Sequence, residues 1–380
     1  MRPSPSVALA GLALAVLASG CADPATDRVS LVGSQPSSTM LPPSSTMLPP
    51  EVRTTTGPAV RHPYPMATSL ADPTATGTPL APTGEPRFFV SAGAPVARFP
   101  GDSKTAVQTP VKPAVQDAET GELVAEIPLP PGVESSWHVV AAARDNRTFA
   151  IAGWTGRQDP AIVFFLVRLG EDGRPGEPVA VTQTDPDVLT TVHDLALSAD
   201  GTRLAYATPL LGGGAKISVL DVATGRRRDW TTMTYSMVNG LSWAPDGRSL
   251  AYVPGGRAIA VLDLARAGTD LDRATSRTVT NAEGVRLIES VAHTPDGAAL
   301  IYAAGHTVER VAVSGGPARV LARPELPPGA SLTLRFSVDG TGEHLLYVNG
   351  GRAHQVSLAD GTAASVPIAE QEGEPPRAAW

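Results

Sequence analysis

"SWAPDGRSLAYV", residues 242–253, sets one apolar stretch against another across a sharp Asp-Gly turn. Asp accepts nearby backbone N–H groups and Gly supplies positive φ, so the segment reads as a tight β-hairpin. A lone hairpin is marginal in water, whereas stacked copies of one supersecondary unit bury a continuous core. The stretch recurs as "LALSADGTRLAYA" at 195–207, "SVAHTPDGAALIYA" at 290–303 and "LRFSVDGTGEHLLYV" at 334–348, the last with two extra residues in its turn. A degenerate copy, "VAAARDNRTFAIA", covers 140–152. The turn residues Asp145, Asp200, Asp246, Asp296 and Asp339 stand 43 to 55 residues apart, the length that four short strands need.

Between these turns lies a second landmark, a strand ending in another tight turn. It appears as "VQDAETG" (115–121), "LVRLGEDG" (166–173), "VLDVATG" (219–225), "VLDLARAG" (261–268), "VAVSGG" (311–316) and "VSLADG" (356–361). Each unit therefore holds an inner strand, an Asp-Gly turn, a second strand, a variable loop, a third strand, a second turn and an outer strand. Six copies exceed what one open sheet manages, and radial closure leaves only short, protected edges. The sequence predicts an all-β fold, a six-bladed propeller of four-stranded antiparallel blades. The paired "S-x-D-G-x-x-L-A-Y" and "D-x-x-T-G" motifs resemble those of TolB-like, WD-repeat-like propellers, and more closely those of exported actinobacterial propeller proteins. The resemblance implies a fold and leaves function open, since propellers host unrelated activities. The Trp-Asp dipeptide of true WD repeats is absent.

Ring closure is legible at the ends of the repeat. "RFFVSA" at 87–92 aligns with the second-strand stretch "RLAYAT" at 203–208, and no inner strand precedes it. The vacancy is expected to be filled by the C-terminal "EGEPPRAAW", 372–380, with Trp380 buried between neighbouring blades.

Ahead of the repeat the composition changes. Arg2, an apolar run over 7–17 and "LASGC" at 17–21 resemble a bacterial lipoprotein signal, with cleavage after residue 20 and lipid on Cys21, the single cysteine of the chain. That reading implies export and attachment to the outer face of the cell membrane through the lipid alone. From 21 to 85 Pro, Thr, Ser and Ala dominate and "SSTMLPP" is duplicated, so a disordered tether is expected between the anchor and a propeller over 86–380. A net charge of -7 offers no basic stripe for nucleic acid.

In an antiparallel meander the Asp-Gly turns share one face with the second-landmark turns, and the longer loops share the other. Function usually lives on such loops. The turn aspartates are accounted for by backbone chemistry, and the recurring Tyr206, Tyr252, Tyr302 and Tyr347, with Trp243, by packing between blades. His138 and His193 each stand seven residues before their turn residue, so they occupy equivalent places at the entry of adjacent inner strands. With Asp159 and Asp187 they are the candidate ligand-binding residues. Neither metal spacing nor a cofactor motif is present: "GGGAK" at 212–216 lacks the Walker order, and no Gly-x-Ser-x-Gly or His-Glu-x-x-His occurs. The expected function is a lipid-anchored binding or scaffold module for a protein or cell-envelope ligand. The alternative is a propeller hydrolase or lyase acting on a carbohydrate or small ester, which needs titratable side chains converging at the channel mouth.

Overall fold

Every blade repeats one solution to the problem of burying a strand on both faces. Second strands such as Arg203–Pro209 and Ala299–Ala304 are apolar almost throughout and buried along their length, because each is covered by a blade on either side. Outer strands such as Arg227–Thr232 and Ala363–Pro367 leave most positions exposed or half-buried and bury only Trp230 and Thr232 in the first and Val366 in the second. The computed structural model describes residues 80–380 apart from 83, 96, 99–106, 157–160, 184–190, 282–286, 325–334 and 369–375. Within them six four-stranded antiparallel sheets form the blades of a propeller ring, and six apolar clusters fill the junctions between neighbouring blades. A two-stranded ribbon, Ala97–Arg98 with Val107–Gln108, extends a connection in the first blade. One short helix, Leu271–Ala274, is inserted before the outer strand of the fourth and buries Leu271 and Ala274.

The ring closes through its two ends. Arg377–Ala379 is the inner strand of the first blade and pairs antiparallel with Phe88–Ala92, Val90 facing Ala379 and Ala92 facing Arg377. Trp380 is 2% exposed, packed with Phe89, Leu346, Val366 and Ile368 at the seam between first and last blades. The expected closure is therefore the one observed.

The turns behave as their chemistry requires. Gly201, Gly247 and Gly297 have φ of 70°, 66° and 69°, and the preceding aspartates accept the N–H two residues on, from Thr202, Arg248 and Ala298. In the second blade Asn146 replaces glycine at φ 54°, and Asp145 accepts from Arg147 and Thr148. Tyr206, Tyr252, Tyr302, Tyr347 and Trp243 are all buried between blades.

Two alignments are corrected. The sixth turn has no extra residues. Asp339 N donates to His344 O, and Gly342 N to Asp339 O, as Ser198 N donates to Arg203 O and Gly201 N to Ser198 O. Asp339 thus takes the place of Ser198, and Thr341-Gly342 takes that of Asp200-Gly201. The Asp-Gly dipeptide at 339–340 drew the alignment two residues early. In the first blade Phe88 faces Asp117 as Arg203 faces Asp221, so "RFFVSA" is displaced by one residue from "RLAYAT". Ser91 stands where the third to sixth blades carry tyrosine, and two adjacent phenylalanines hid the alternation.

The first blade has no inner turn of its own, because its inner strand is the chain terminus. Its neighbours meet across the gap: Gly340 N donates to Asn146 Oδ1 at 2.6 Å. A Cβ at Gly340 would stand 1.8 Å from Arg144 O, so only glycine permits this approach. The incoming chain runs over the same face. Leu80 N donates to Ala199 O, Gly84 O accepts from Asn146 Nδ2, and Glu85 Oε1 lies 3.9 Å from His344 Nε2.

Candidate functional site

The inner strands line a central cavity of about 200 Å3, running from Arg144, Ala199, Pro245, Pro295 and Gly340 at the tight-turn end to Asp194, Arg335 and Arg377 at the other. Side chains from one blade cap inner-strand N–H groups of the next: Asp194 Oδ2 accepts from Leu241 N, Ser242 Oγ from His293 N, and Ser290 Oγ from Phe336 N. These bonds satisfy backbone groups that would otherwise face the channel unpaired.

At the loop-rich end the lining changes character. Arg335 of the sixth blade donates through Nη1 to His193 O at 2.9 Å and through Nη2 to Asn239 Oδ1 at 3.2 Å. Arg377 of the first blade donates to the same His193 O at 3.1 Å and lies 3.7 Å from Asp194 Oδ1. Two guanidiniums from adjacent blades thus reach toward the third blade and share one carbonyl. His138 and Glu289 complete the group, since the same arginines act electrostatically on both.

The charges set the protonation of the rest. Burial first, then Arg377 and Arg335, lowers His138 to about 3. His193 is lowered by burial, Arg335 and Arg377, with Asp194 opposing. Both imidazoles are neutral at pH 7. Glu289 is raised by burial against the pull of Arg335 and Arg377. Asp194 is committed to Leu241 N, Leu195 N and Arg377, so its carboxylate anchors structure and is poorly placed to act as a base.

His138 and His193 are brought together as their spacing predicts. Asp159 and Asp187 lie outside the described residues. Arg335, Arg377, Asn239 and Glu289 were missed. The signal for two of them was present: Asn239 and Glu289 stand seven residues before Asp246 and Asp296, the same offset that singled out the histidines. Three inner strands also carry bulges at this level, between Ser136 and Val140, Asn239 and Ser242, and Ile288 and Ser290, and bulges re-aim side chains. Among the described residues no group of three or more His, Cys, Asp and Glu side chains is placed to hold a metal.

Beside the mouth, on the same face, lies an apolar arc. Leu211, Met233, Met237 and Leu287 are 67%, 69%, 45% and 46% exposed, all in loops of the third to fifth blades. Two of them are set over glycines: a Cβ at Gly214 would stand 2.8 Å from Met233 Sδ, and one at Gly256 3.4 Å from Leu287 Cδ2. Among the described residues the other large exposed apolar side chains, Leu123, Val179 and Val320, stand singly on outer strands.

No protein-family model and no curated protein matches the sequence. Among solved structures the chain is similar to TolB from Acinetobacter baumannii, with TM-score 0.52 and 18% identity over 78% of this chain and 67% of that one. The fold is that of a TolB-like propeller. A chain of a nidogen/laminin complex is similar at TM-score 0.51 and 14% identity, over 77% of this chain and 97% of that one. Identities of this size report the ring and its blades, and the chemistry of the mouth belongs to this sequence.

Proposed function

We propose that this chain is a lipid-anchored, extracytoplasmic binding module that docks a protein partner on the loop-rich face of its propeller. The observation that carries the reading is the exposed arc of Leu211, Met233, Met237 and Leu287 beside a cation-bearing channel mouth. Contiguous exposed apolar surface with a polar border marks interaction sites, and flexible methionines adapt to a partner's contours. The opposite face offers tight turns whose aspartates accept from N–H groups of the same turn.

The path of the chain leaves that face open: Leu80, Gly84 and Glu85 lie against the tight-turn side, opposite the proposed docking face. The solved nidogen/laminin complex supplies a precedent for a chain of this fold assembled with another protein.

Two measurements test the reading. Mass spectrometry of the native protein should find a lipidated Cys21 at the N-terminus, and an unmodified thiol there would remove the anchor. A photo-crosslinker at Met233 should capture a discrete partner in intact cells, while one at Arg248 on the turn face should not. Equal capture at both positions, or none at Met233, would remove the docking face.

A further inference from the structure

We infer that Met233 and Met237 form a reversible oxidation site, at which conversion of the thioethers to sulfoxides releases a partner held on the apolar arc. The inference rests on the proposed docking face and names its regulation by a peroxide.

Sulfur is concentrated at one place on this ring. The chain has six methionines and one cysteine, and of these only Met233 and Met237 fall among the described residues. Both stand in the loop between the outer strand of the third blade, Arg227–Thr232, and the inner strand of the fourth, Val238–Trp243, and they are 69% and 45% exposed. The six apolar clusters between blades are built from Ala, Val, Leu, Ile, Phe, Tyr and Trp and contain no methionine. An oxidant that attacks thioethers therefore meets this ring at the docking arc and finds no sulfur in the packing between blades.

The surroundings of Met233 suit that chemistry. Its sulfur lies over the loop 210–214, where a Cβ at Gly214 would approach Sδ to 2.8 Å. Gly212, Gly213 and Gly214 hold φ of 85°, 103° and 91°, a backbone that side chains disfavour. A Cβ at Gly212 or Gly213 would meet nothing within 4 Å, so the surface beside the sulfur is open. The loop that carries the two methionines is fixed by other groups. Thr232 and Thr234 donate to Asp272 Oδ2 at 2.9 and 2.7 Å, Tyr235 and Tyr252 hydroxyls stand 3.1 Å apart, and Met237 O accepts from Gly255 N. Oxygen added to either sulfur alters the surface and leaves these bonds in place.

Hydrogen peroxide suffices as co-reactant. A lone pair on Sδ attacks one peroxide oxygen, and the S–O bond forms as the O–O bond breaks. The departing hydroxide takes the proton carried by the transferred oxygen and leaves as water. The sulfur is oxidised by two electrons and the peroxide reduced by two. A flexible apolar end becomes a strong acceptor, so a partner that buried the thioether must now bury an S=O group with no donor to meet it. Methionine sulfoxide reductases return the thioether.

The test uses the full chain with a photo-crosslinker at Leu211 on the same arc, or at Leu287 should the first fold poorly. The purified protein is oxidised to about half with hydrogen peroxide, freed of it, offered to washed membranes of the cells that make it, and irradiated, so the partner never meets the oxidant. The peptide 229–248, bounded by Arg228 and Arg248, carries both residues and none of the other four methionines, so mass spectrometry reads the site directly. Met233 should gain oxygen ahead of Met237, and the urea midpoint should not move. Sulfoxide at Met233 should be depleted by about tenfold or more in the captured fraction relative to the uncaptured one, the size expected for an unmet buried acceptor. Sulfoxide at Met40, Met47 and Met66 should divide evenly between the two, and treatment with the reductases should restore capture. Even division of Met233 sulfoxide, or a ring that unfolds when Met233 is oxidised, would overturn the switch and leave the docking face standing. No capture by the untreated chain would remove the docking face and the switch together, so the two failures are told apart.

Discussion

The two ends of the channel are built from the same inner strands and are opposite in how their polar groups are satisfied. At the tight-turn end a carboxylate finds its partner two or three residues away, as Asp246 does with Arg248 N and Asp145 with Thr148 N. At the loop-rich end the partners are 142 and 184 residues apart, as for His193 O with Arg335 and Arg377. Local satisfaction gives a self-contained turn that holds the ring together. Satisfaction at long range leaves groups whose arrangement exists only in the finished ring, and there a ligand has something to read. The difference predicts that damage at the closed seam and turns falls on stability, while damage at the open face falls on binding.

The largest stability effect is expected at the seam. Trp380→Ala should cost about 3–5 kcal/mol, in the range for emptying a buried tryptophan site. The indole Nε1 has no hydrogen-bond partner, so the loss is one of packing among Phe89, Leu346 and Ile368. Urea unfolding should show the whole propeller shifted as one cooperative transition. An unchanged midpoint would mean that the C-terminal strand closes nothing.

Next comes the turn itself. Gly247 holds φ 66°, and its carbonyl accepts from Arg203 Nη1 at 2.9 Å. Gly247→Val places a β-branched residue in the left-handed region and should cost about 1–2 kcal/mol. Partner capture by a crosslinker at Met233 should be unaffected. Weakened binding in a folded variant would break the separation between the two ends.

Which end was legible follows from the same distinction. The Asp-Gly and Thr-Gly turns are written in consecutive residues, so the blade count, the strand order and the role of Trp380 follow from pattern and edge chemistry. His138 and His193 were found by their shared offset from those turns. Arg335 escaped because it stands six residues, not seven, before Thr341 of a turn that the Asp-Gly dipeptide at 339–340 displaced, and Arg377 because its strand has no turn to count from. The bulges that bring Glu289 and Asn239 to the mouth leave no mark in composition. Their consequence was visible only as an offset of seven shared with the histidines.

The acid limb of stability tests the buried histidines. Burial lowers His293 to about 4, against a bond to Ser242 and the field of Asp246 that raise it, with Arg277 lowering it further. An unfolded histidine titrates near 6.5, so the unfolded state binds more protons between these values. The stabilisation is complete above about pH 6.5 and declines as pH falls toward 4. His138, lowered to about 3, extends the decline. His293→Gln should flatten the limb and leave the remainder to His138, His193 and His354, which burial also lowers. Urea midpoints across that pH range check it, and an unchanged slope would mean that His293 is protonated in the folded chain.

The smallest stability effect should come from the most exposed large apolar residue, and it bears most directly on what the open face is for. Met233 is 69% exposed, and its sulfur rests over Gly214 in a loop held without it. Thr232 and Thr234 donate to Asp272, and Thr231 N donates to Thr269 O. Met233→Gln keeps the length of the side chain and removes its apolar end, so stability should change by less than about 0.5 kcal/mol. A residue fixed by packing within its own chain would cost several times that. If thermal unfolding is unmoved while crosslinked partner is lost from Met237 next to it, the arc serves a partner and not the fold. If Met233→Gln destabilises the ring as Gly247→Val does, the arc belongs to the core of the third and fourth blades. The two ends would then differ only in loop length, and the docking face would have to be sought elsewhere on the molecule.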